Sequence, residues 1–216
     1  MSNLPASESI PGRRAESADA RKPSGRARGR AALQGLLTRH SIGPRWMVEP
    51  GPSMAQLRLA IAAALHAPDH GKLVPWRAVI VGERDRDALG ELFARFARDI
   101  GKTDEDVAIE RDRARNGPVL VAWIVHVDET VDEVPPHEQW MCAGGALTNF
   151  LNALHLMGYG AKTLSGRKCA HPAIHDAFCR DGELLAGFVC IGKATRQPAP
   201  RGADDPDAVL SCWPGT

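Results

Sequence analysis

The chain carries almost no net charge, which excludes partners that bind through a global electrostatic field. It has 27 Lys and Arg residues against 26 Asp and Glu residues, so its formal net charge is +1. Such a balance provides no long-range attraction for nucleic acid or for an anionic membrane surface. We therefore expect neither of them as a partner of the folded chain.

Long apolar runs are also missing. None approaches the roughly 20 residues that a membrane-spanning helix needs, and no signal-peptide core follows the first charged residues. The composition, 44% hydrophobic and 25% charged, is typical of a soluble globular protein. We expect a cytoplasmic protein with no membrane partner.

Cysteine is scarce. The five cysteines form no C-x-x-C pair, and their odd number favours free thiols in a reducing compartment. Cys169 lies near His171 and His175, but this spacing matches no standard zinc pattern. We therefore expect no metal.

Three motifs of common enzyme classes are absent from the sequence. Without G-x-G-x-x-G after a strand, and without a P-loop, a Rossmann dinucleotide site and phosphoryl transfer are not supported. Without G-x-S-x-G, an α/β-hydrolase is not supported either.

The start of the chain differs in composition from the rest. It is rich in Ser, Pro, Gly, Ala and Arg and has few large apolar side chains, so it cannot offset the entropy of ordering. We predict a disordered extension over residues 1–28 and a folded domain over residues 29–216, with order beginning near Ala31. The arginines of the extension could contact an acidic partner or nucleic acid, although a solvated tail is the simpler interpretation.

Hydrophobic periodicity predicts the elements of the folded domain. The first predicted helix ends near residue 39, and the others cover residues 53–65, 84–100, 104–115, 137–157 and 171–178. The predicted strands cover residues 77–81, 118–127, 161–164 and 184–191. About four strands, unevenly interleaved with helices, favour an α+β fold over a doubly wound sheet. The helix at 137–157 is apolar around nearly its whole circumference. It could be the central helix of a monomer, or it could pack on its own copy in a dimer.

Three polar clusters could bind a ligand. Their residues are Arg39, His40 and Ser41; His66, Asp69, His70 and Lys72; and Thr163, Leu164 and Ser165. The second cluster lies in the segment H-A-P-D-H-G-K-L-V-P-W, between a predicted helix and a predicted strand. Its prolines and glycine can hold polar groups beside a flat ligand. Each cluster alone also fits an ordinary turn or helix end.

Six motifs, taken in order, raise the significance of these clusters. They are T-R-H-S, H-A-P-D-H-G-K-L-V-P-W, N-G-P-V-L-V-A, W-M-C-A-G-G-A-L-T-N-F-L, G-Y-G-A-K-T-L-S-G and G-F-V-C-I-G. With them, residues 29–216 resemble the FMN-dependent nitroreductase family, in particular its compact subgroup. The resemblance implies a three-layer α+β fold with a central, mostly antiparallel sheet flanked by helices. It also implies a domain-entwined homodimer with two FMN molecules in the interface.

The same resemblance implies a function. We expect an oxidoreductase that passes hydride from NAD(P)H through FMN to a small electron acceptor, a nitroaromatic or a quinone, by a ping-pong mechanism. The flavin carries this chemistry, so no side chain is expected to act as a nucleophile. The alternative is a flavin- or ligand-binding protein of this fold without robust turnover.

The resemblance also assigns residues to the cofactor. Arg39, His40 and Ser41 would hold the FMN phosphate and ribityl chain, and Thr163, Leu164 and Ser165 would line the ring or the phosphate. His70 would approach the flavin from the second subunit, and His66 would face the nicotinamide cofactor.

The loop departs from the family pattern, which often has N-x-Q before the Pro-Trp pair. Val74 cannot hydrogen-bond the pyrimidine edge of the flavin, whereas Lys72 could place a positive charge there. Leu164 replaces an arginine that is frequent in the compact subgroup.

Overall fold

The computed structural model describes residues 25–196 and 205–214. Its first helix, α1, is Gly25–Thr38. Residues 25–28, which we assigned to the disordered extension, are therefore helical, because the run that follows them is rich in the good helix formers Ala, Arg and Leu. The rest of the predicted extension lies outside the described residues.

Five strands form one sheet: β1 (Met47–Val48), β2 (Trp76–Val81), β3 (Val119–His126), β4 (Gly160–Leu164) and β5 (Glu183–Ala194). The order is β1-β5-β3-β2, with β4 also paired to β5, and every pair of these strands is antiparallel. The predicted α+β class is confirmed. β1 was missed because two residues beside Gly and Pro carry no periodic signal.

The remaining α-helices of the described chain are α2 (Met54–Ala64), α3 (Arg86–Asp99), α4 (Asp104–Asp112), α5 (Pro136–Leu156) and α6 (Pro172–Phe178). Ser53 caps α2 through a reciprocal pair of hydrogen bonds with Gln56. Helix α4 ends earlier than predicted because residues 113–115 tighten into a 3-10 turn. None of the helices in the described part of the chain is long and apolar enough to span a membrane.

The sheet has a hydrophobic core on each face, since side chains alternate along a strand. Val121, Trp123 and Val125 of β3 face α2 and α5. Their neighbours in β3 face α3 and α6: Leu120, Ala122 and Ile124. Helices therefore cover both faces, which confirms the predicted three-layer arrangement.

Helix α5 packs on the sheet and on α2 with one side only. Phe150 is fully buried, whereas Trp140 is 46% exposed and Met141 is 72% exposed. A Cβ added at Gly144 would meet nothing within 4 Å. The single chain thus buries α5 as a central helix, and it leaves an apolar side of that helix in solvent.

An ion pair joins β2 to β5 across the strand β3 that lies between them. The Arg77 guanidinium in β2 donates to Glu183 at the start of β5, at 2.7 Å from Nε, and to the Phe178 carbonyl at 2.6 Å. The hydrogen bond from Arg77 lowers the pKa of the Glu183 carboxyl to about 2. The ionised pair therefore stabilises the fold at neutral pH.

We expect Glu183→Gln to lower the free energy of unfolding at pH 7 by about 2 kcal/mol, since the half-buried guanidinium loses its charged partner. Because the folded pKa lies below the ordinary value of 4.5, the contribution of Glu183 is present above that pH and is lost as the pH falls toward 2. Denaturant unfolding between pH 7 and pH 2 measures this. The wild type and the variant should converge at the acid end, and a constant difference would contradict the assignment.

Candidate functional site

A cavity of about 570 Å³ lies beside β1 and β4. Its polar lining comes from four separate stretches of the chain: the turn after α1, the segment before β3, strand β4 and the residues that follow β5. The polar lining residues are Ser41, Arg45, Arg113, Asn116, Lys162 and Arg196.

Backbone pairing brings these stretches together. The Ile42 amide donates to the Ala161 carbonyl at 3.2 Å, and Ser41 forms a parallel bridge with Ala161. Met47 of β1 pairs with Ala194 at the end of β5. The segment from Ser41 to Met47 therefore wraps around the end of the sheet and forms one wall of the cavity.

The cavity is strongly basic. Among the described residues, Arg45, Lys162 and Arg196 have no carboxylate within ion-pair distance. The guanidiniums of Arg45 and Arg196 lie over the Trp46 ring, at 5.1 and 5.3 Å from its centroid. Guanidinium groups held in this way suit a phosphate or another anion.

The fourth cation, Arg113, is held from behind by a buried carboxylate. Glu110 is 3% exposed and pairs with Arg113, with Lys102 at 3.1 Å and with Lys168 at 3.1 Å. Burial alone would raise the pKa of Glu110, but Lys168, Lys102 and Arg113 together outweigh burial, and the pKa lies below the ordinary value. Glu110 therefore stays ionised and orients Arg113 at the cavity.

The third predicted cluster lies at the end of β4, directly after Lys162. The Thr163 hydroxyl is buried, and no hydrogen-bond partner for it exists among the described residues. Leu164 packs against the core between the sheet and helices α3 and α6, and Ser165 is exposed. Native structures rarely leave a buried hydroxyl unpaired, so the Thr163 Oγ1 is a candidate contact for a ligand.

The first predicted cluster divides between two cavities. Ser41 lines the basic cavity, whereas His40 lines a separate cavity of about 180 Å³ with Thr38 and His155. Burial lowers the pKa of His155. Arg39 lines neither cavity.

The second predicted cluster lies apart from the basic cavity. His66 and Lys72 are exposed. The His70 Nδ1 lies 2.8 Å from the Glu138 carboxylate, in a cavity of about 360 Å³ that Met141 also lines. A single chain therefore does not bring the three clusters into one site.

Sequence reasoning missed five of the six polar lining residues: Arg45, Arg113, Asn116, Lys162 and Arg196. Asn116 and Lys162 occur inside motifs that we quoted, but neither residue stood out there. A single Arg or Lys in a sequence resembles any solvated cation, so only their convergence distinguishes these residues.

The antiparallel sheet between two helical layers, with a basic cavity at its end, defines an α+β protein of the nitroreductase type. The family model described as "Nitroreductase family" matches residues 36–193. This chain belongs to the nitroreductase family, which confirms the resemblance found in the sequence, and it is a nitroreductase-type enzyme.

Relatives in two bacteria support the same assignment. The chain is 30% identical over 165 residues to the candidate NAD(P)H nitroreductase YdjA of Escherichia coli (strain K12), covering 74% of this chain and 87% of YdjA. It is 28% identical over 162 residues to a candidate NAD(P)H nitroreductase of Haemophilus influenzae, with coverage of 74% and 87%.

Solved structures share the fold. A nitroreductase-like family protein from Bacillus cereus superposes with a TM-score of 0.70 at 19% identity, covering 85% of this chain and 96% of that one. A point mutant of NfnB, described as an FMN and NADPH-dependent nitroreductase, superposes with a TM-score of 0.60 at 21% identity, with coverage of 86% and 99%. At these identities the superpositions show the fold alone.

We expect Thr163→Val to raise the free energy of unfolding of the ligand-free protein by about 1 kcal/mol, because an unpaired buried hydroxyl is replaced by a methyl group of similar volume. Thermal unfolding measures this. The control is Thr148→Val, which removes a hydroxyl that donates to the Gly144 carbonyl at 2.9 Å and should not stabilise. A lower unfolding temperature for Thr163→Val would show that the hydroxyl already has a partner.

Proposed function

We propose that this enzyme is an FMN-dependent oxidoreductase that passes hydride from NAD(P)H to a nitroaromatic or a quinone-like acceptor by a ping-pong mechanism. The observation that carries the proposal is the basic cavity, with three cations free of carboxylate partners among the described residues. The names of the relatives as NAD(P)H nitroreductases and the description of NfnB as FMN-dependent agree with it. The cytoplasmic location stays a prediction.

The residues present fit an FMN molecule. Arg45 and Arg196 offer guanidinium forks for the phosphate, and Ser41 and Asn116 offer polar groups for the ribityl hydroxyls. Thr163, whose buried hydroxyl has no partner among the described residues, follows Lys162 in β4 but does not line the cavity itself. The volume of about 570 Å³ lies in the usual range for a cofactor pocket.

When bound, the flavin supplies the hydride chemistry, and the protein binds and orients it. Arg113, oriented by Glu110, and Lys162 keep positive charge along the cavity. Such preorganised charge stabilises negative charge that develops on a ligand. Neither Arg39 nor His40 lines the basic cavity. The cofactor-binding roles predicted for these two residues therefore have no support from the cavity and remain proposals.

We further propose that the active form is a homodimer. Exposed apolar side chains gather on α2 and α5, where Leu59 is 61% exposed and Met141 is 72% exposed. Exposed apolar side chains on two helices that pack on each other are typical of an interface. We propose that a second copy covering this surface brings the loop with His66, His70 and Lys72 toward the basic cavity of its partner.

The cofactor assignment predicts that Arg45→Met raises the Kd for FMN about 10-fold or more, because it removes a charge-assisted contact to the phosphate. Quenching of flavin fluorescence on titration of the apoprotein measures this. Arg98→Met is the matched control, since it removes the same charge from the exposed end of α3. Equal Kd values for all three proteins would contradict the phosphate site.

The absorbance spectrum of the purified protein tests the proposal as a whole. Flavin bands that disappear on anaerobic addition of NADH or NADPH support it, and a colourless protein that takes up no FMN overturns it. A yellow protein that stays oxidised with both nucleotides would instead establish the alternative, a flavin-binding protein without turnover.

The dimer proposal predicts that Met141→Asp yields a monomer with weaker FMN binding, because a charge on the apolar side of α5 opposes its burial. Sedimentation velocity gives the oligomeric state. Ile109→Asp is the control, as Ile109 is 46% exposed on α4, away from α2 and α5. A wild-type monomer with full activity would overturn the shared site.

A further inference from the structure

The loop between α2 and β2 holds an unusual backbone conformation. Lys72 has φ 55° and Val74 has φ 47°, and they are the non-glycine residues with positive φ in the described chain. A β-branched residue in this region is a genuine outlier, because its Cβ crowds the backbone. Val74 is 42% exposed, so burial of its side chain does not explain the strain.

The Asp69 carboxylate holds this conformation. Its Oδ1 accepts from the Leu73 amide at 3.2 Å, and its Oδ2 accepts from the Val74 amide at 2.9 Å. The Lys72 amide also donates to the Asp69 carbonyl at 3.3 Å. Asp69 thus accepts hydrogen bonds from three backbone N–H groups of the strained turn.

Helix α5 in turn anchors the loop. The Asp69 carboxylate lies beside the buried thiol of Cys142, and burial together with this carboxylate raises the pKa of Cys142 to about 11. His70 contacts Glu138 one turn before Cys142 on α5. The Lys72 ammonium has no carboxylate partner among the described residues. Contacts with α5 therefore fix the loop at Asp69 and His70, and the Lys72 ammonium forms no ion pair within the described residues.

We propose that Asp69 is a positioning residue that clamps the strained turn 71–74 and so presents the Lys72 ammonium to the flavin bound by a second copy of the chain. This inference rests on the proposed function and on the proposed dimer. Strained backbone persists where the surroundings over-determine it, and it concentrates at ligand clamps. A loop that only connected α2 to β2 would gain stability from glycine at positions 72 and 74.

The clamp is tested first without flavin. We expect amide hydrogen exchange at Leu73 and Val74, followed by NMR in the apoprotein, to be at least about 10-fold faster in Asp69→Ala than in the wild type, since both acceptors are lost. Asp69→Asn, which retains one acceptor oxygen, should be intermediate. Asp128→Ala is the matched control, because Asp128 accepts the Thr130 amide at 2.9 Å in a different loop. Unchanged exchange in Asp69→Ala overturns the clamp.

Three variants then separate positioning from stability. Asp69→Ala should lower the unfolding temperature and raise the Kd for FMN. Val74→Gly should keep or raise the unfolding temperature, because glycine tolerates positive φ, and yet raise the Kd for FMN about 5-fold through the lost rigidity. Lys72→Asn should leave the unfolding temperature unchanged, since Asn tolerates this conformation, and raise the Kd through the lost charge.

The experiments distinguish a failure of the proposed function from a failure of the positioning role. A wild type that binds no FMN overturns the proposed function, whatever the exchange data show. A wild type that binds FMN, with the same Kd in Asp69→Ala, Val74→Gly and Lys72→Asn, overturns the positioning role alone.

Discussion

Strand β5 is the element on which the rest of the structure depends. Its 12 residues pair with β3 along most of their length, with β4 from Phe188 to Gly192 and with β1 at Lys193 and Ala194. The register of one strand therefore decides where Lys162, Thr163 and the segment after α1 come to lie. Because a shift by one residue would exchange the two faces of β5, its buried side chains make the register specific.

The cations of the basic cavity destabilise the folded chain, and we attribute their presence to the binding of the proposed ligand. Several like charges in one place repel each other, and among the described residues only Arg113 has a carboxylate partner there. The buried Glu110 limits this cost, since it holds Arg113 and Lys168 together from behind. The strained turn beside Asp69 is a second cost of the same kind. We propose that a ligand, rather than the fold, accounts for the local structure at both places.

Periodicity predicted most of the helices and four of the five strands, because each of them buries a face wide enough to pattern its sequence. It failed where an element is too short or too exposed to carry a pattern. The two residues of β1 are too few for a pattern, and α1 begins earlier than expected with the exposed residues Gly25 and Arg26, which bury no apolar face. The apolar circumference of α5 correctly predicted a long helix that packs against the rest of the chain. The sequence could not decide whether the same chain or a second copy covers its remaining apolar side.

The sequence by itself determined the α+β class, the family and the order of the motifs, since these are carried by local patterns and by neighbouring residues. Only the tertiary structure decided that Arg45, Arg113, Lys162 and Arg196 converge on one cavity and that His70 and Lys72 lie apart from it. The reason is that charged surface residues bury nothing and leave no periodic trace in the sequence. Their meaning comes from the pairing of distant strands, which places them side by side.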